Sequence, residues 1–470
     1  MLFRSSFETI NPATEEALGV AADCDLADLD DAIGAARRAF DESSWSTDVA
    51  FRVRCLRQLR DAFHAHAEEI RAMTVAETGS PLMLTYSAQL DDPVNGLGWV
   101  ADLAESYEWE RDLGRAEPLG MPAHRWVRRE PTGVVGAITP WNVPHQINLA
   151  KVGPALAAGN TVVLKPAPDT PWCATTLGRL VAEETDIPAG VLNVVTSSDH
   201  AVGAAIATDP RVDQVSFTGS TNTGRAVMRG AADTLKKVFL ELGGKSAFVV
   251  LDDADLKGAT GVAAFTVCTH AGQGCAITTR LVVPRAAYDD AIEMTARTLE
   301  KLGAGDPTDP GTVCGPLVSA RQRDRVEGYI RLAVEEGGTI ITGGARPPER
   351  DQGFFLEPTL IAGVGNDARV AQEEIFGPVL VILPHDGDDD AVRIANDSAY
   401  GLSGSVDSAS LDRAKAVAAR IRTGTLAVNG GVWFSPDAPF GGYKQSGIGR
   451  EMGVAGFEEY LETKVIAEPA

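Results

Sequence analysis

The stretch from Gly133 to Gly224 alternates short apolar runs with helical segments, and this rhythm restricts the fold more than any other feature of the chain. Four apolar runs predict buried strands, at 134–138, 161–165, 191–195 and 212–217. Strands that alternate with helices form a parallel sheet covered on both faces. Ligands of such sheets bind beyond the carboxyl ends of the strands, so a site is expected in the loops that follow these runs.

A second series of the same kind begins after Gly243-Gly244. Its apolar runs include 246–251, 281–284 and 379–383, with helical spacing at 255–269 and 288–302. The chain is therefore predicted to be an α/β protein with two doubly wound parallel-sheet domains. Residues 118–130 contain too many prolines and charges for a core element and predict a projecting arm.

Composition narrows the class of protein. The chain has 470 residues, 65 acidic against 42 basic, and a net charge of −23, which repels phosphate backbones and argues against a nucleic-acid partner. There is no run of eighteen apolar residues and no apolar segment at the N-terminus, so neither a membrane span nor a signal peptide is expected. The six cysteines are scattered along the chain, as in proteins of a reducing compartment. These features predict a cytoplasmic protein.

One cysteine lies in a glycine-rich loop, Ala271-Gly-Gln-Gly-Cys-Ala276. Glycines leave the thiol of Cys275 accessible, which suits a covalent nucleophile; the alternative is an inert core thiol. Cys268 and His270 lie nearby, but no fourth ligand has zinc-like spacing, so we predict no metal site.

Four further features have both a functional and a structural interpretation. Gly219–Gly224 joins a strand to a helix and suits a pyrophosphate, although a plain tight turn also explains it. Lys165 ends a strand, where it either contacts a ribose or phosphate or is simply solvated. Asn142 is either an oxyanion donor or an ordinary turn residue. Glu241, between two leucines, is either a buried general base or a carboxylate in water.

Seven motifs in register carry a resemblance that covers nearly the whole chain. They are Thr-Pro-Trp-Asn, Leu-Lys-Pro, Phe-Thr-Gly-Ser, Leu-Glu-Leu-Gly-Gly-Lys, Gly-Gln-Gly-Cys, Glu-Glu-Ile-Phe-Gly-Pro and Pro-Phe-Gly-Gly-Tyr-Lys-Gln-Ser-Gly. In this order they resemble the NAD(P)-dependent aldehyde dehydrogenase superfamily. Asn11-Pro-Ala-Thr-Glu15 is similar to the usual opening of that family.

The resemblance implies oxidation of an aldehyde to a carboxylic acid. By similarity, Cys275 attacks the aldehyde carbon, its backbone amide and Asn142 hold the oxyanion, and hydride transfer to the nicotinamide leaves a thioester. Glu241 then activates the hydrolytic water, and Lys151 and Glu451 match a pair that relays its proton. Two alternatives are an acylating, coenzyme A-dependent member and a non-enzymatic structural relative.

The resemblance also implies a nicotinamide site, with NAD as the cofactor and NADP as the alternative. It assigns cofactor contacts to Thr139, Pro140, Trp141, Lys165, Pro168, Gly219, Ser220, Gly224, Leu242, Glu374 and Phe376. Many members have a glutamate at position 168, which binds the adenosine ribose. With proline at this position, the choice between NAD and NADP depends on other groups. Ser197 is a second departure, because family members often have a glycine at that position.

The substrate is expected to be a medium or bulky hydrophobic aldehyde, because Ala150 is small and the entrance segments carry no arginine that could bind a carboxylate. The residues expected near the entrance are Val143, His145, Gln146, Ala150, Thr269, Trp433 and Phe434.

The family resemblance suggests limits for the domains. The cofactor-binding domain is predicted at 1–117 and 131–242, the catalytic domain at 243–440, and a connecting segment at 441–458. Segments 118–130 and 459–470 are predicted to form an oligomerisation arm, and hence a homodimer or homotetramer.

Overall fold

The structure is a computed structural model that describes residues 5–470. Residues 1–4 lie outside the described residues. They belong to the predicted segment 1–117 and to the N-terminal stretch in which no signal peptide is expected. The strands are β1 Ser6–Ile10, β2 Ala17–Ala22, β3 Glu110–Ala116, β4 Ala123–Pro131, β5 Val134–Ile138, β6 Thr161–Lys165, β7 Leu192–Val194, β8 Gln214–Thr218, β9 Lys237–Glu241, β10 Ser246–Val250, β11 Thr278–Pro284, β12 Thr339–Thr342, β13 Thr359–Ala362, β14 Val379–His385, β15 Gly404–Asp407, β16 Ala427–Val428, β17 Gly447–Ile448 and β18 Leu461–Pro469. The helices are α1 Leu26–Glu42, α2 Val49–Ala65, α3 Ala67–Thr78, α4 Leu82–Thr85, α5 Asp91–Ser106, α6 Pro144–Ala158, α7 Pro171–Glu184, α8 His200–Thr208, α9 Thr221–Ala231, α10 Leu256–Cys268, α11 Tyr288–Leu302, α12 Ala320–Glu335, α13 Arg369–Gln372, α14 Asp388–Asn396, α15 Leu411–Ala418 and α16 Gly453–Glu458.

The first large sheet has the strand order β17-β9-β8-β5-β6-β7. It is parallel except for β17, which pairs antiparallel with β9. Every residue of β6 and β8 is buried, as expected of strands covered on both faces. Because β6 and β8 flank β5 on opposite sides, the chain winds in both directions from β5 and leaves a crevice at its carboxyl end.

The second large sheet has the order β12-β13-β14-β11-β10-β15-β16 and is parallel except between β12 and β13. Its apolar strands form one core with the helices that cover it, including α10 and α11. The predicted α/β class with two doubly wound sheets is therefore confirmed.

A third sheet is small and antiparallel, with the order β18-β4-β3. Strand β18 pairs with β4 along its whole length, from Leu461 opposite Pro131 to Pro469 opposite Ala123. The two segments predicted to form an arm therefore pair with each other. The sheet also contains β3, which precedes residue 118 and lies in the segment predicted for the cofactor-binding domain. The domain limits themselves remain a prediction.

Helix α6 positions two of the residues predicted to be catalytic, Asn142 and Lys151. Pro144 occupies its first turn, where a missing N–H costs nothing, and Gly159 ends it in the left-handed conformation at φ 99°. The helix is buried over most of its length. It thereby fixes Asn142, which immediately precedes it, and Lys151, which lies in its middle.

Candidate active site

The loop that carries Cys275 follows α10 through a short 3₁₀ turn, Thr269–Gly272. His270, Ala271 and Gly272 all have left-handed backbone angles, with φ of 49°, 51° and 69°. A Cβ on Gly272 would lie 2.1 Å from the carbonyl oxygen of Gly377, so only glycine fits at this position. The tight approach to Gly377 fixes the path of the loop and leaves Cys275 half-buried.

Gln273 holds the same loop from inside and is fully buried. Its Nε2 donates to the carbonyl oxygens of His270 at 3.1 Å and Pro316 at 3.2 Å, and its Oε1 accepts from the backbone N–H of Val318 at 2.9 Å. The sequence analysis missed this residue. The available signal was a polar side chain between two glycines, which gives no indication of its partners.

Asn142 reaches this loop from the end of β5. Its Nδ2 donates to the carbonyl oxygen of Gln273 at 2.9 Å, two residues before Cys275, and only 3% of the residue is exposed. Its own carbonyl oxygen accepts from Gln89 Nε2 at 2.9 Å. The amide is therefore held at a fixed position beside the nucleophile loop, and the turn interpretation alone does not account for it.

Glu241 is the last residue of β9 and is 2% exposed, so the alternative of a carboxylate in water is wrong. Burial raises its pKa to about 8; the nearby Cys275 thiol and Lys151 oppose this rise, whereas Glu451 and Glu374 add to it. Burial, followed by the charge of Glu241, raises the pKa of Cys275 well above its usual range. A thiol of raised pKa thus lies close to a carboxyl group whose pKa is also raised.

Lys151 and Glu451 form a buried ion pair behind this centre, with Nζ 2.9 Å from Oε1. The backbone of Glu451 exchanges two hydrogen bonds of 2.7 Å with Phe440, whose ring stacks on Trp433. The predicted pair is therefore brought together although 300 residues separate its members.

The residues predicted for the cofactor meet at the crevice beyond β5. Ser220 caps α9 by accepting from the backbone N–H of Thr223 at 3.2 Å, which leaves the start of this helix at the carboxyl end of β8. A Cβ on Gly219 would lie 2.6 Å from the ring of Phe217, and one on Gly224 would lie 2.6 Å from Leu242. A larger residue at either position would therefore displace the side chain that packs against it.

Lys165 is the last residue of β6 and is 4% exposed, which excludes the solvated interpretation. Its Nζ donates to the carbonyl oxygens of Pro166 and Ser197, each at 3.2 Å, and burial lowers its pKa. Thr139, directly after β5, donates from Oγ1 to Asn148 Oδ1 at 2.7 Å, and Pro140 follows it in the same turn.

On the side of the second sheet, Glu374 Oε1 accepts from the backbone N–H of Gly244 at 2.9 Å, and burial raises the pKa of Glu374 to about 7. Phe376 has a left-handed backbone with φ of 63°, and its ring meets Trp141 edge to face at 5.4 Å. The structure thus brings groups from both sheets to one crevice.

Position 168 has a charged neighbour on another helix that the sequence analysis did not identify. Asp169 follows Pro168 and is mostly buried, and burial raises its pKa, against the effect of Arg321. The guanidinium of Arg321, on α12, lies 3.8 Å from the Asp169 carboxylate. An arginine distant in sequence therefore faces the loop that contains Pro168.

A cavity of about 250 Å³ lies beside α6 and the segment after Phe434. Gln146, Ala150 and Phe434, which the sequence analysis expected near a substrate entrance, line it, and Asp92, Trp99 and Met452 are among the other lining residues. Cys275 is not among them. Met452 follows Glu451 directly and Ala150 precedes Lys151, so sequence neighbours of both members of the buried pair line the cavity.

The prediction for His145 is wrong. The residue is 1% exposed, its Nε2 lies 3.1 Å from Thr74 Oγ1, and its ring meets Phe63 edge to face. Burial lowers its pKa to about 4. It faces the core because it lies one position, about 100° around the helix, from Gln146. Thr269 does not line the cavity either; its hydroxyl donates to the carbonyl oxygen of Phe265.

Within residues 5–470, no helix combines the length and apolar character needed to cross a membrane. Over the same residues, no group of three or more His, Cys, Asp or Glu side chains is arranged to hold a metal ion.

Comparison with known proteins gives concordant similarities. Residues 3–466 match the sequence model of the aldehyde dehydrogenase family. The chain is 44% identical to a 3-succinoylsemialdehyde-pyridine dehydrogenase from a Pseudomonas species, over 98% of this chain and 94% of that one. It resembles the structure of Staphylococcus aureus betaine aldehyde dehydrogenase in complex with NAD+, with a TM-score of 0.96 and 35% identity over 99% of this chain and 92% of that one. A Pseudomonas syringae aldehyde dehydrogenase C variant with a cysteine-to-alanine substitution, complexed with NAD+ and octanal, has a TM-score of 0.93 and 39% identity over 99% and 94% of the two chains.

Proposed function

The chain belongs to the aldehyde dehydrogenase family, and on that premise we propose that it oxidises a hydrophobic aldehyde to the carboxylic acid with NAD, through a thioester on Cys275. The observation that carries this proposal is the proximity of the Cys275 thiol to the buried Glu241, each of which shifts the pKa of the other, beside an amide that donates to the nucleophile loop. Nucleophile, base and oxyanion donor thus converge from three separate elements.

In the first step, the thiol proton passes to Glu241 and the sulfur of Cys275 bonds to the aldehyde carbon. The carbonyl electrons move to the oxygen, where the Cys275 backbone amide and one N–H of Asn142 stabilise the negative charge. The other N–H of Asn142 is held by Gln273, so the amide needs no reorientation during the reaction.

The first step leaves the thiol proton on Glu241, which passes it towards the Glu451 carboxylate of the Lys151–Glu451 pair and so becomes free to act as a base again. In the second stage, Glu241 removes a proton from the water that attacks the thioester. The carbon–sulfur bond breaks, the sulfur electrons return to Cys275, which takes the proton back from Glu241, and the acid is released. A pKa of about 8 suits this role, because a general base is most effective when its pKa lies near the working pH.

The crevice fits a dinucleotide, which when bound supplies the hydride acceptor. The start of α9 at Gly219–Ser220 offers backbone amides to a pyrophosphate, with Gly224 and Leu242 supporting the turn. We assign Lys165 and Glu374 to ribose hydroxyls. We assign the remaining contacts to Thr139, Pro140, Trp141, Pro168 and Phe376.

We further propose that NAD is preferred and that NADP retains measurable activity. Pro168 can neither accept a hydrogen bond from the ribose hydroxyls nor repel a 2′-phosphate. Arg321 and Lys165 would attract such a phosphate, whereas Asp169 would repel it. This balance of charges distinguishes the chain from members with a glutamate at position 168.

The cavity beside α6 supports a medium or bulky hydrophobic substrate. Trp99, Phe434 and Ala150 give it apolar walls with room beside the small side chain. None of its lining residues, all of which belong to the described part of the chain, is Arg or Lys, and Asp92 contributes a carboxylate. An aldehyde with its own carboxylate would therefore meet repulsion, whereas a neutral chain or ring would be accommodated.

The experiment that tests the proposal is an aldehyde panel followed by the absorbance of reduced cofactor. Octanal and benzaldehyde are expected to be oxidised with a higher kcat/KM than succinate semialdehyde. Addition of coenzyme A should produce no acyl-CoA, because Glu241 hydrolyses the thioester; formation of acyl-CoA would support the acylating alternative. Absence of activity with every aldehyde would favour the non-enzymatic relative.

We also propose a homodimer or homotetramer in the cytoplasm. The arm sheet has two edges, at β3 and β18, and exposes Leu119, Met121 and Val465. Adding a strand of a second copy to such an edge would satisfy its backbone groups. All six cysteines are free thiols, which favours a reducing compartment. Light scattering at micromolar concentration tests the assembly, and a monomer would contradict it.

A further inference from the structure

The Lys151–Glu451 pair does not end the buried network behind the catalytic centre. We propose that Ser216 and Tyr460 are positioning residues that hold the Lys151 ammonium against Glu451 and so support proton removal from Glu241 before deacylation. This inference rests on the proposed function. It adds two residues for which neither the sequence motifs nor the comparisons suggest a role.

Lys151 is fully buried, and its ammonium is contacted from three directions. Nζ donates to Glu451 Oε1 at 2.9 Å and to Ser216 Oγ at 3.2 Å, and it lies 4.7 Å from the centroid of the Phe239 ring. An ammonium has three N–H groups and a buried charge is costly without partners, so each of these contacts limits its position. Ser216 provides the only neutral oxygen among the three.

Ser216 is itself linked to Tyr460. The two hydroxyl oxygens lie 3.0 Å apart, and either can donate. Ser216 is fully buried and Tyr460 is 3% exposed. Burial raises the pKa of Tyr460 far above its usual range, so the phenol keeps its proton. The two hydroxyl groups can therefore exchange the roles of donor and acceptor without movement of the oxygens. Ser216 can thus change its role when the charge on the Lys151–Glu451 pair changes.

The backbone fixes Tyr460 in turn. Its carbonyl oxygen accepts from Asn160 Nδ2 at 2.9 Å and from the backbone N–H of Thr132 at 3.2 Å. Tyr460 immediately precedes β18, the strand that pairs with β4 in the arm. Ser216 lies on β8, whose carboxyl end carries Gly219 and Ser220. The network thus connects the ion pair whose charges act on Glu241, the strand of the cofactor loop and the root of the arm.

The chemical need for this support arises in each turnover. Attack of the Cys275 thiol leaves its proton on Glu241, and the base cannot activate water for deacylation until that proton moves on to Glu451. Glu451 and Lys151 both act on the charge of Glu241. If the ammonium is held less firmly, it stabilises the carboxylates of Glu451 and Glu241 less well, so the pKa of Glu241 rises further and deacylation slows. Attack of Cys275 on the aldehyde, the earlier step, does not require this transfer.

The experiment compares Ser216→Ala and Tyr460→Phe with wild type, using octanal and NAD. Rapid-quench mass spectrometry measures formation and decay of the acyl-enzyme, and steady-state assays give the pH profile of kcat. Ser216→Ala is expected to slow acyl-enzyme decay about tenfold, the rate equivalent of one lost hydrogen bond to a charged group. Its formation is expected to stay within about twofold, and the acid limb of kcat to move about 0.5–1 unit towards higher pH. Tyr460→Phe should shift both quantities in the same direction by a smaller amount, because Ser216 remains.

Thr161→Val is the matched control. Thr161 is fully buried on β6 of the same sheet, and its hydroxyl donates only to the carbonyl oxygen of Ala36 among the described contacts. The variant removes a buried hydroxyl of the same sheet but is expected to leave the pH profile unchanged.

Three outcomes decide the matter. Wild-type decay and an unchanged pH profile in Ser216→Ala would overturn the proposal, and so would an effect no larger than that of Thr161→Val. If Ser216→Ala does not fold, Tyr460→Phe decides by the same two readouts. Cys275→Ala is assayed in parallel: if it retains activity, the covalent mechanism itself is wrong, whereas if it is inactive, an unaffected Ser216→Ala refutes only the role of the network.

Discussion

The buried carboxyl group of Glu241 predicts a conflict between catalysis and stability. Burial raises its pKa from 4.5 to about 8 in the folded protein, whereas the unfolded chain keeps the ordinary value. Between these two values the folded protein holds a proton that the unfolded chain has lost. Unfolding then releases a proton, so the free energy of unfolding contributed by this group falls as the pH rises through this window.

The magnitude follows from the size of the pKa shift. From pH 6 to pH 8 the loss amounts to about 2.3 kcal/mol, because the slope of about 1.36 kcal/mol per pH unit falls to half that value at pH 8, where half of the folded molecules have lost the proton. At about 2.1 cal/mol/K per residue, the unfolding entropy of a chain of this length is on the order of 1 kcal/mol/K. The loss therefore corresponds to about 2 °C in Tm. Glu241→Gln removes the titrating group and should escape this loss.

The assay is thermal unfolding of wild type and Glu241→Gln at pH 6, 7, 8 and 9, at fixed protein concentration and scan rate. The Tm of the variant minus that of wild type is expected to rise by about 2 °C between pH 6 and pH 8 and to level off above pH 8. Glu335→Gln, at an exposed position on α12, controls for the loss of one formal charge. A Tm difference that does not change with pH would refute both the raised pKa and the argument for Glu241 as a base near neutral pH.

Three other substitutions test the remaining assignments. Cys275→Ala is expected to abolish both aldehyde oxidation and ester hydrolysis, because both require the same thiol; substantial turnover in a folded variant would exclude Cys275 as the nucleophile. Pro168→Glu should raise the ratio of kcat/KM for NAD over NADP by about one to two decades through a new charge-assisted hydrogen bond, and an unchanged ratio would show that position 168 does not set the choice. Ala150→Trp should lower kcat/KM for octanal about 15-fold, if the indole excludes two methylenes worth about 0.8 kcal/mol each, and leave acetaldehyde nearly unaffected. Equal losses for both aldehydes would contradict the assignment of the cavity to the substrate chain.

Local sequence patterns predicted the elements that bear the site with good accuracy. The run 161–165 is strand β6 and the helical spacing at 288–302 is α11, each with the predicted limits. Asp25 and Asp28 form a capping box at the start of α1. These features depend on residues a few positions apart, whose interactions do not need the rest of the chain.

The error at His145 has a local origin as well. His145 and Gln146 are neighbours in the chain, but on a helix they point in directions about 100° apart. Gln146 and Ala150, four residues apart, share the face that lines the cavity, whereas His145 packs against Phe63. Helical periodicity, applied to this segment, would have separated them.

What the sequence by itself determined was the class of fold and the family, and it predicted the chemical groups of the candidate site, because strand and helix patterns and the motifs around Cys275, Glu241 and Asn142 lie in short segments. Only the tertiary structure decided which groups that are distant in sequence lie close enough for their charges or hydroxyl groups to interact. Lys151 meets Glu451 across 300 residues, Ser216 meets Tyr460 across 244, and Arg321 faces Asp169 from another helix. Such contacts depend on how two sheets and an arm pack around α6. Burial, which raises the pKa of Glu241, is a property of that packing and not of the leucines beside it in the chain.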